Sequence, residues 1–159
     1  MEKIGLVLTL LLALHGCSAS DDRLHDLQRD LNGGVSQLRA VKVVEVKLPE
    51  IDDRERIVII NGRYLGGVCG VDDFGGDVRQ EIDLRFGASE GAAAFLVLVS
   101  GSRVLDFASL DYSLYLPKGG AGGYGKECAL IVKKENSLLR VRCEQDSKGG
   151  CNVLVDFGM

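Results

Sequence analysis

The spacing of apolar residues changes once along this chain, near residue 40. Before that point Leu24, Leu27 and Leu31 recur on one face of a 3.6-residue repeat. Ser20 or Asp21 stands ahead of them with an oxygen that can accept from the free N–H groups of a first turn. Asn32-Gly33-Gly34 behind them reads as a stop. The pattern predicts a short amphipathic helix over Ser20–Gly34, docked by its leucines on whatever follows.

After residue 40 the period is two. Val41–Leu48 is rich in β-branched residues and ends at Pro49, as a strand should. The charged loop Glu50–Glu55 leads into the apolar run Arg56–Ile60. Asn61-Gly62 then predicts a tight hairpin, with Arg63-Tyr64-Leu65 returning beside that run, because both turn residues tolerate a positive φ. Val78–Phe86 alternates, placing Ile82, Leu84 and Phe86 inward and Arg79, Glu81, Asp83 and Arg85 in water. Ala92–Val99 is apolar at every position, which predicts a central strand covered on both faces. Ser100-Gly101-Ser102 turns the chain into Arg103–Phe107, and Leu110–Leu116 alternates up to Pro117.

Further on, Cys128–Lys133 and Leu138–Cys143 fold about Glu135-Asn136 as a hairpin, with Leu130 and Val132 across from Val141 and Leu139. Cys151–Phe157 supplies a last strand, with Cys151, Val153, Val155 and Phe157 on its inner face. The expectation is a mainly β domain: a small sandwich or barrel of about eight to ten antiparallel strands, preceded by one N-terminal helix.

The start of the chain sets the compartment in which these elements are read. Lys3 precedes an apolar run from Ile4 to Leu14, broken by Gly5 and Thr9, and the small residues Gly16-Cys17-Ser18-Ala19-Ser20 follow. That order is a secretory signal peptide, its apolar run well short of the roughly twenty residues needed to span a bilayer. Leu14-His15-Gly16-Cys17 resembles the lipobox of bacterial lipoproteins. The resemblance implies that Cys17 carries the lipid, for example palmitate, and begins the mature chain. Ser18 beside it implies the outer membrane, facing the periplasm. The organisation expected is a leader over 1–16, an anchor, tether and helix over 17–40, and one β-rich domain over 41–159. Cleavage at Cys17-x-Ala19 instead would leave a soluble periplasmic or secreted protein.

With Cys17 assigned to lipid, four of the 5 cysteines remain, and an oxidising compartment makes two disulfides the expectation. In the hairpin register Cys128 faces Cys143, leaving Cys69 with Cys151. The rival pairs Cys143 with Cys151 across the loop Glu144–Gly150, leaving Cys69 with Cys128. Three connectivities stay open.

Composition narrows the function by exclusion. The chain has 159 residues, is 46% hydrophobic and carries a net charge of −4 with no basic block, which argues against nucleic acid as a partner. Gly120 to Lys126 matches the glycine and lysine part of a phosphate-binding loop, but Glu127 stands where Ser or Thr would hold magnesium and a strand follows instead of a helix. Asp73-Phe74-Gly75 echoes a kinase triplet without any other kinase part. Asp72, Asp73 and Asp77 lack the alternating ligands of a calcium loop, so no metal is expected. His25 is the one histidine beyond the leader, and no Ser-His-Asp or Cys-His set is marked.

The expectation is therefore a non-catalytic protein with no cofactor and no small-molecule substrate. A carboxylate-based hydrolase is the weakest alternative, since no pair of acids stands out. The favoured reading is a lipid-anchored envelope protein whose β-domain binds another protein in secretion, in envelope assembly or as a structural part. A periplasmic inhibitor or immunity protein is the second. Glycine-rich loops on a rigid sheet commonly carry recognition. The candidate contact residues are Asp72, Asp73 and Phe74 in one such loop, and Gly119, Gly120, Gly122, Gly123 and Tyr124 in the other.

Overall fold

The structure, a computed structural model, describes residues 22–61, 80–81, 84, 94–117, 124–125 and 129–158. These residues include the helix α1 (Arg23–Gln37) and nine strands: β1 (Val43–Lys47), β2 (Glu55–Asn61), β3 (Ala94–Ser100), β4 (Arg103–Leu110), β5 (Leu114–Pro117), β6 (Tyr124–Gly125), β7 (Ala129–Val132), β8 (Leu138–Gln145) and β9 (Cys151–Phe157). The strands make two sheets, one ordered β1-β8-β9-β5-β6 and the other β4-β3-β2-β7. The sandwich is thus the architecture.

Between the sheets lies one hydrophobic cluster. The five-stranded sheet contributes Val46, Leu139, Val141, Val153, Val155, Leu114 and Leu116, and the four-stranded sheet contributes Ile57, Ile59, Leu96, Leu98, Leu110, Leu130 and Val132. Helix α1 packs against β1 and β4, the edge strands on one side of the sandwich, and plugs the gap between them. Leu24, Leu27 and Leu31 enter the same cluster fully buried, as their spacing predicts. Each such leucine stabilises the fold by about 1.5–3 kcal/mol.

The helix runs past its expected stop, through Asn32-Gly33-Gly34 to Gln37. Gly34 has a packing role instead. A Cβ placed there would lie 3.3 Å from Cγ1 of Val44 and from Cγ2 of Val46, so the missing side chain lets α1 approach β1 closely. At the helix start Arg23 grips the β1–β2 connection. Its guanidinium donates to Glu55 at 2.8 and 3.0 Å and to the Glu50 carbonyl at 3.1 Å.

Strand β3 is central and buried on both faces, as its continuous apolar run predicts. Its loop to β4 turns at Gly101, whose φ of 58° is a left-handed conformation that glycine accepts without strain. The alternation of Leu110–Leu116 spans two strands. Leu110 ends β4 in one sheet, the chain crosses at 111–113, and Leu114 opens β5 in the other. Entering the second sheet that way, β5 runs parallel to β9, an exception to the antiparallel expectation.

Three expected pairings are corrected. First, both edges of β2 are occupied, by β3 and by β7, so no place remains for a strand returning from an Asn61-Gly62 hairpin. Asn61 is instead the buried last residue of β2, where its Oδ1 accepts from the N–H of Leu114 at 3.2 Å and bridges the two sheets. Second, β7 and β8 belong to different sheets, so the hairpin expected for Cys128–Cys143 does not form. The links 133–137 carry the chain across the sandwich, and β8 pairs with β1 and β9. Third, Gln80, Glu81 and Leu84 are helical and Leu84 is 75% exposed, so at these three positions the expected strand with Leu84 inward is corrected, and the rest of 78–86 lies outside the described residues.

Candidate partner-binding surface

Cysteine pairing follows from the sheet order. Because β8 and β9 are antiparallel neighbours with Gln145 opposite Cys151 and Cys143 opposite Val153, Cys143 and Cys151 are diagonal neighbours on one face. They form a disulfide with Cα atoms 5.4 Å apart, within the usual range. This is one bridge of the rival connectivity, and it rules out Cys128–Cys143 and the Cys69–Cys151 pair that went with it. Cys69 and Cys128 themselves lie outside the described residues, as does Cys17.

So do most of the expected contact residues: Asp72, Asp73, Phe74, Gly119, Gly120, Gly122 and Gly123. Of that set the structure places the backbone of Tyr124, in β6, paired with Pro117 at one edge of the five-stranded sheet.

Elsewhere on the described surface the two sheets present different chemistry. On the outer face of the five-stranded sheet, Glu45, Arg140 and Asp156 stand side by side on β1, β8 and β9. Asp156 takes Arg140 Nε at 3.3 Å and Arg142 Nη2 at 3.1 Å. A carboxylate already shared by two guanidiniums is poorly placed to act as a base. On α1, His25 stands 3.8 Å from Asp106 and 3.5 Å from Gln28, on an exposed surface. Among the described residues no group of three His, Cys, Asp or Glu side chains could hold a metal ion, and no helix is long and apolar enough to cross a membrane. The Tyr112 hydroxyl is buried without a partner among the described residues, and burial, reinforced by Asp111, pushes it well above the usual phenol range.

The edges differ more sharply still. Along β4 three backbone groups are taken by side chains. Glu81 accepts from Val104 N–H at 3.1 Å, Asp106 from Phe107 N–H at 2.8 Å, and Gln28 donates to the Ser109 carbonyl. Among the described residues strand β1 has no such side-chain cover. Leu48 N–H donates to the Ser137 carbonyl across the β1–β8 ladder at 2.9 Å. By alternation Val44 and Val46 also turn their backbone groups to β8, and Val43, Glu45 and Lys47 turn theirs away from it. Val41 and Val43 are 46% and 44% exposed.

Beside this edge runs a groove of about 420 Å³ between α1 and β1, lined by Arg29, Asp30, Gly33, Gly34 and Gln37 on the helix and by Val44–Lys47 on the strand. A second hollow of about 350 Å³ continues it past Lys47 to Glu50. Sequence reasoning looked to glycine-rich loops for a contact surface and missed this one. Its signals were Gly33 and Gly34 inside an amphipathic helix, and the charges Glu45 and Lys47 on a strand otherwise made of valine. Comparison of the chain with protein families, with curated proteins and with solved structures finds no match.

Proposed function

We propose that this chain is an exported, lipid-anchored protein of the bacterial envelope whose β-sandwich binds another protein and performs no chemistry of its own. The observation that carries the binding part is the contrast of edges. One edge strand has three backbone groups bonded by side chains, while β1, among the described residues, presents a bare edge beside a groove. An uncovered edge invites pairing with another chain. The anchor part rests on Leu14-His15-Gly16-Cys17. Tethering at Cys17 leaves only a short connection to α1, so the sandwich would work close to the membrane surface.

The test is the intact mass of protein recovered from a bacterial envelope, together with membrane partition of a Cys17→Ser variant. A chain starting at Cys17 with a diacyl or triacyl adduct, released to the soluble fraction by the substitution, is expected. An unlipidated chain starting beyond Cys17 would overturn the anchor. For binding, in-cell cross-linking of the full chain should give a discrete heteromeric product, and its absence at native expression would overturn that part.

A further inference from the structure

We infer that the β1 edge receives an extended segment of the partner protein as an added antiparallel strand, one carrying an acid opposite Lys47 and a base opposite Glu45. The inference rests on the protein-binding reading and names its site and its recognition chemistry. Three features converge on it. The backbone groups of Val43, Glu45 and Lys47 face away from β8 and have no strand beside them among the described residues. Main-chain bonds along such an edge supply affinity, and alternate side chains supply selection.

Space is the second feature. A strand added outside β1 lies above α1, where a Cβ on Gly33 would meet nothing within 4 Å, so inward side chains of the guest have somewhere to go. Charge is the third. Glu45 and Lys47 are exposed, opposite in sign, on the same outer face, and neither forms an ion pair among the described residues. Their neighbours on β8 cannot serve them: Arg140 is engaged with Asp156, and Leu138 is apolar. Directly opposed charges of opposite sign stabilise a strand pair, and like charges oppose it. In an antiparallel guest that requirement reads, from N to C, acid, any residue, base.

The test uses capped heptapeptides TVDVKVT and TVKVDVT with the full chain, followed by amide hydrogen exchange. Expected is new protection of the Val43, Glu45 and Lys47 amides, with the first peptide binding about threefold or more tighter than the second. Glu45→Pro removes an outward N–H, a position where an edge strand tolerates proline, and should abolish the protection. The exchanged pair Glu45→Lys with Lys47→Glu should reverse the peptide preference, and it keeps the test decisive if the proline variant misfolds.

No protection of these amides at millimolar peptide overturns the inference. Protection that grows with protein concentration alone, without peptide, overturns it in favour of a second copy of this chain. A cross-linked envelope partner that survives both edge variants overturns the β1 site while leaving the protein-binding reading intact. Absence of any such partner for the unaltered chain overturns the reading itself.

Discussion

The two sheets of this sandwich are built to different rules. In the four-stranded sheet, Val58, Ile60, Phe95, Val97 and Val99 on the outer face are as buried as Ile57, Ile59, Leu96 and Leu98 on the inner one. In the five-stranded sheet burial alternates: Leu139 and Val141 point inward, while Arg140, Arg142 and Glu144 point to the other side. The central strands β2 and β3 of the four-stranded sheet are core on both faces, and only its outer strands β4 and β7 alternate. The other is half core and half surface, and both the bare edge and the ion-paired face belong to it. Continuous burial leaves no room for recognition by side chains, whereas a one-sided sheet has a face and an edge to offer.

The largest expected effect comes from treating the buried outer face as if it were a surface. Val97→Asp places a carboxylate where the native side chain is fully buried, and it should cost more than about 4 kcal/mol, enough to prevent folding. Circular dichroism and chemical denaturation would read this. A variant that folded normally would show that this face is accessible after all, and the contrast between sheets would collapse.

Asn61→Ala comes next. It removes the acceptor of the Leu114 N–H at the crossover between sheets, leaving a buried donor unsatisfied at a cost of about 1–3 kcal/mol. A shift in the denaturation midpoint measures it, and an unchanged midpoint would mean that the bridge between sheets contributes nothing.

On the exposed face the same kind of change should matter little. Arg142→Gln loses one contact to a carboxylate that keeps Arg140, and part-exposed pairs of this sort are worth up to about 1 kcal/mol. A loss larger than that of Asn61→Ala would invert the proposed ranking of the two sheets.

The smallest effect at neutral pH concerns Tyr112. Its phenol is held protonated by burial in the fold but ionises in the unfolded chain near pH 10. The stability it supports is therefore complete below that value and falls as pH rises beyond it. Tyr112→Phe should be near neutral at pH 7 and should flatten the alkaline limb of the stability curve. A limb of unchanged slope in the variant would assign alkaline loss to other groups.

How much of this was legible from the residues depends on the range of the interaction involved. The unbroken apolar run of β3 and the leucine face of α1 were readable because each is a local pattern with one period. Asn61-Gly62 looked like a turn because its local chemistry suits one. What overrode it was the arrival of β3 and β7 on both sides of β2. The Cys128–Cys143 hairpin failed for the same reason. Its spacing is that of a hairpin, yet β8 finds better partners in β1 and β9, distant in sequence on one side and beyond a disulfide-closed loop on the other. Gly34 shows the converse, a breaker retained inside a helix because a strand passes too near for a side chain. Sheet edges are the least visible of all, since an edge is defined by what does not pair with it.

The position of β9 between β8 and β5 bears on the timing of folding. A chain emerging residue by residue, from a ribosome or through a membrane pore, presents β1 and β5 long before the strand that joins their sheet. Pairing of β1 waits for β8, and β5 has its long-range parallel partner only when residues 151–157 arrive. Contacts of such high sequence separation form late and slowly. The five-stranded sheet therefore stays open while most of the chain emerges, and it closes only once β9 has followed.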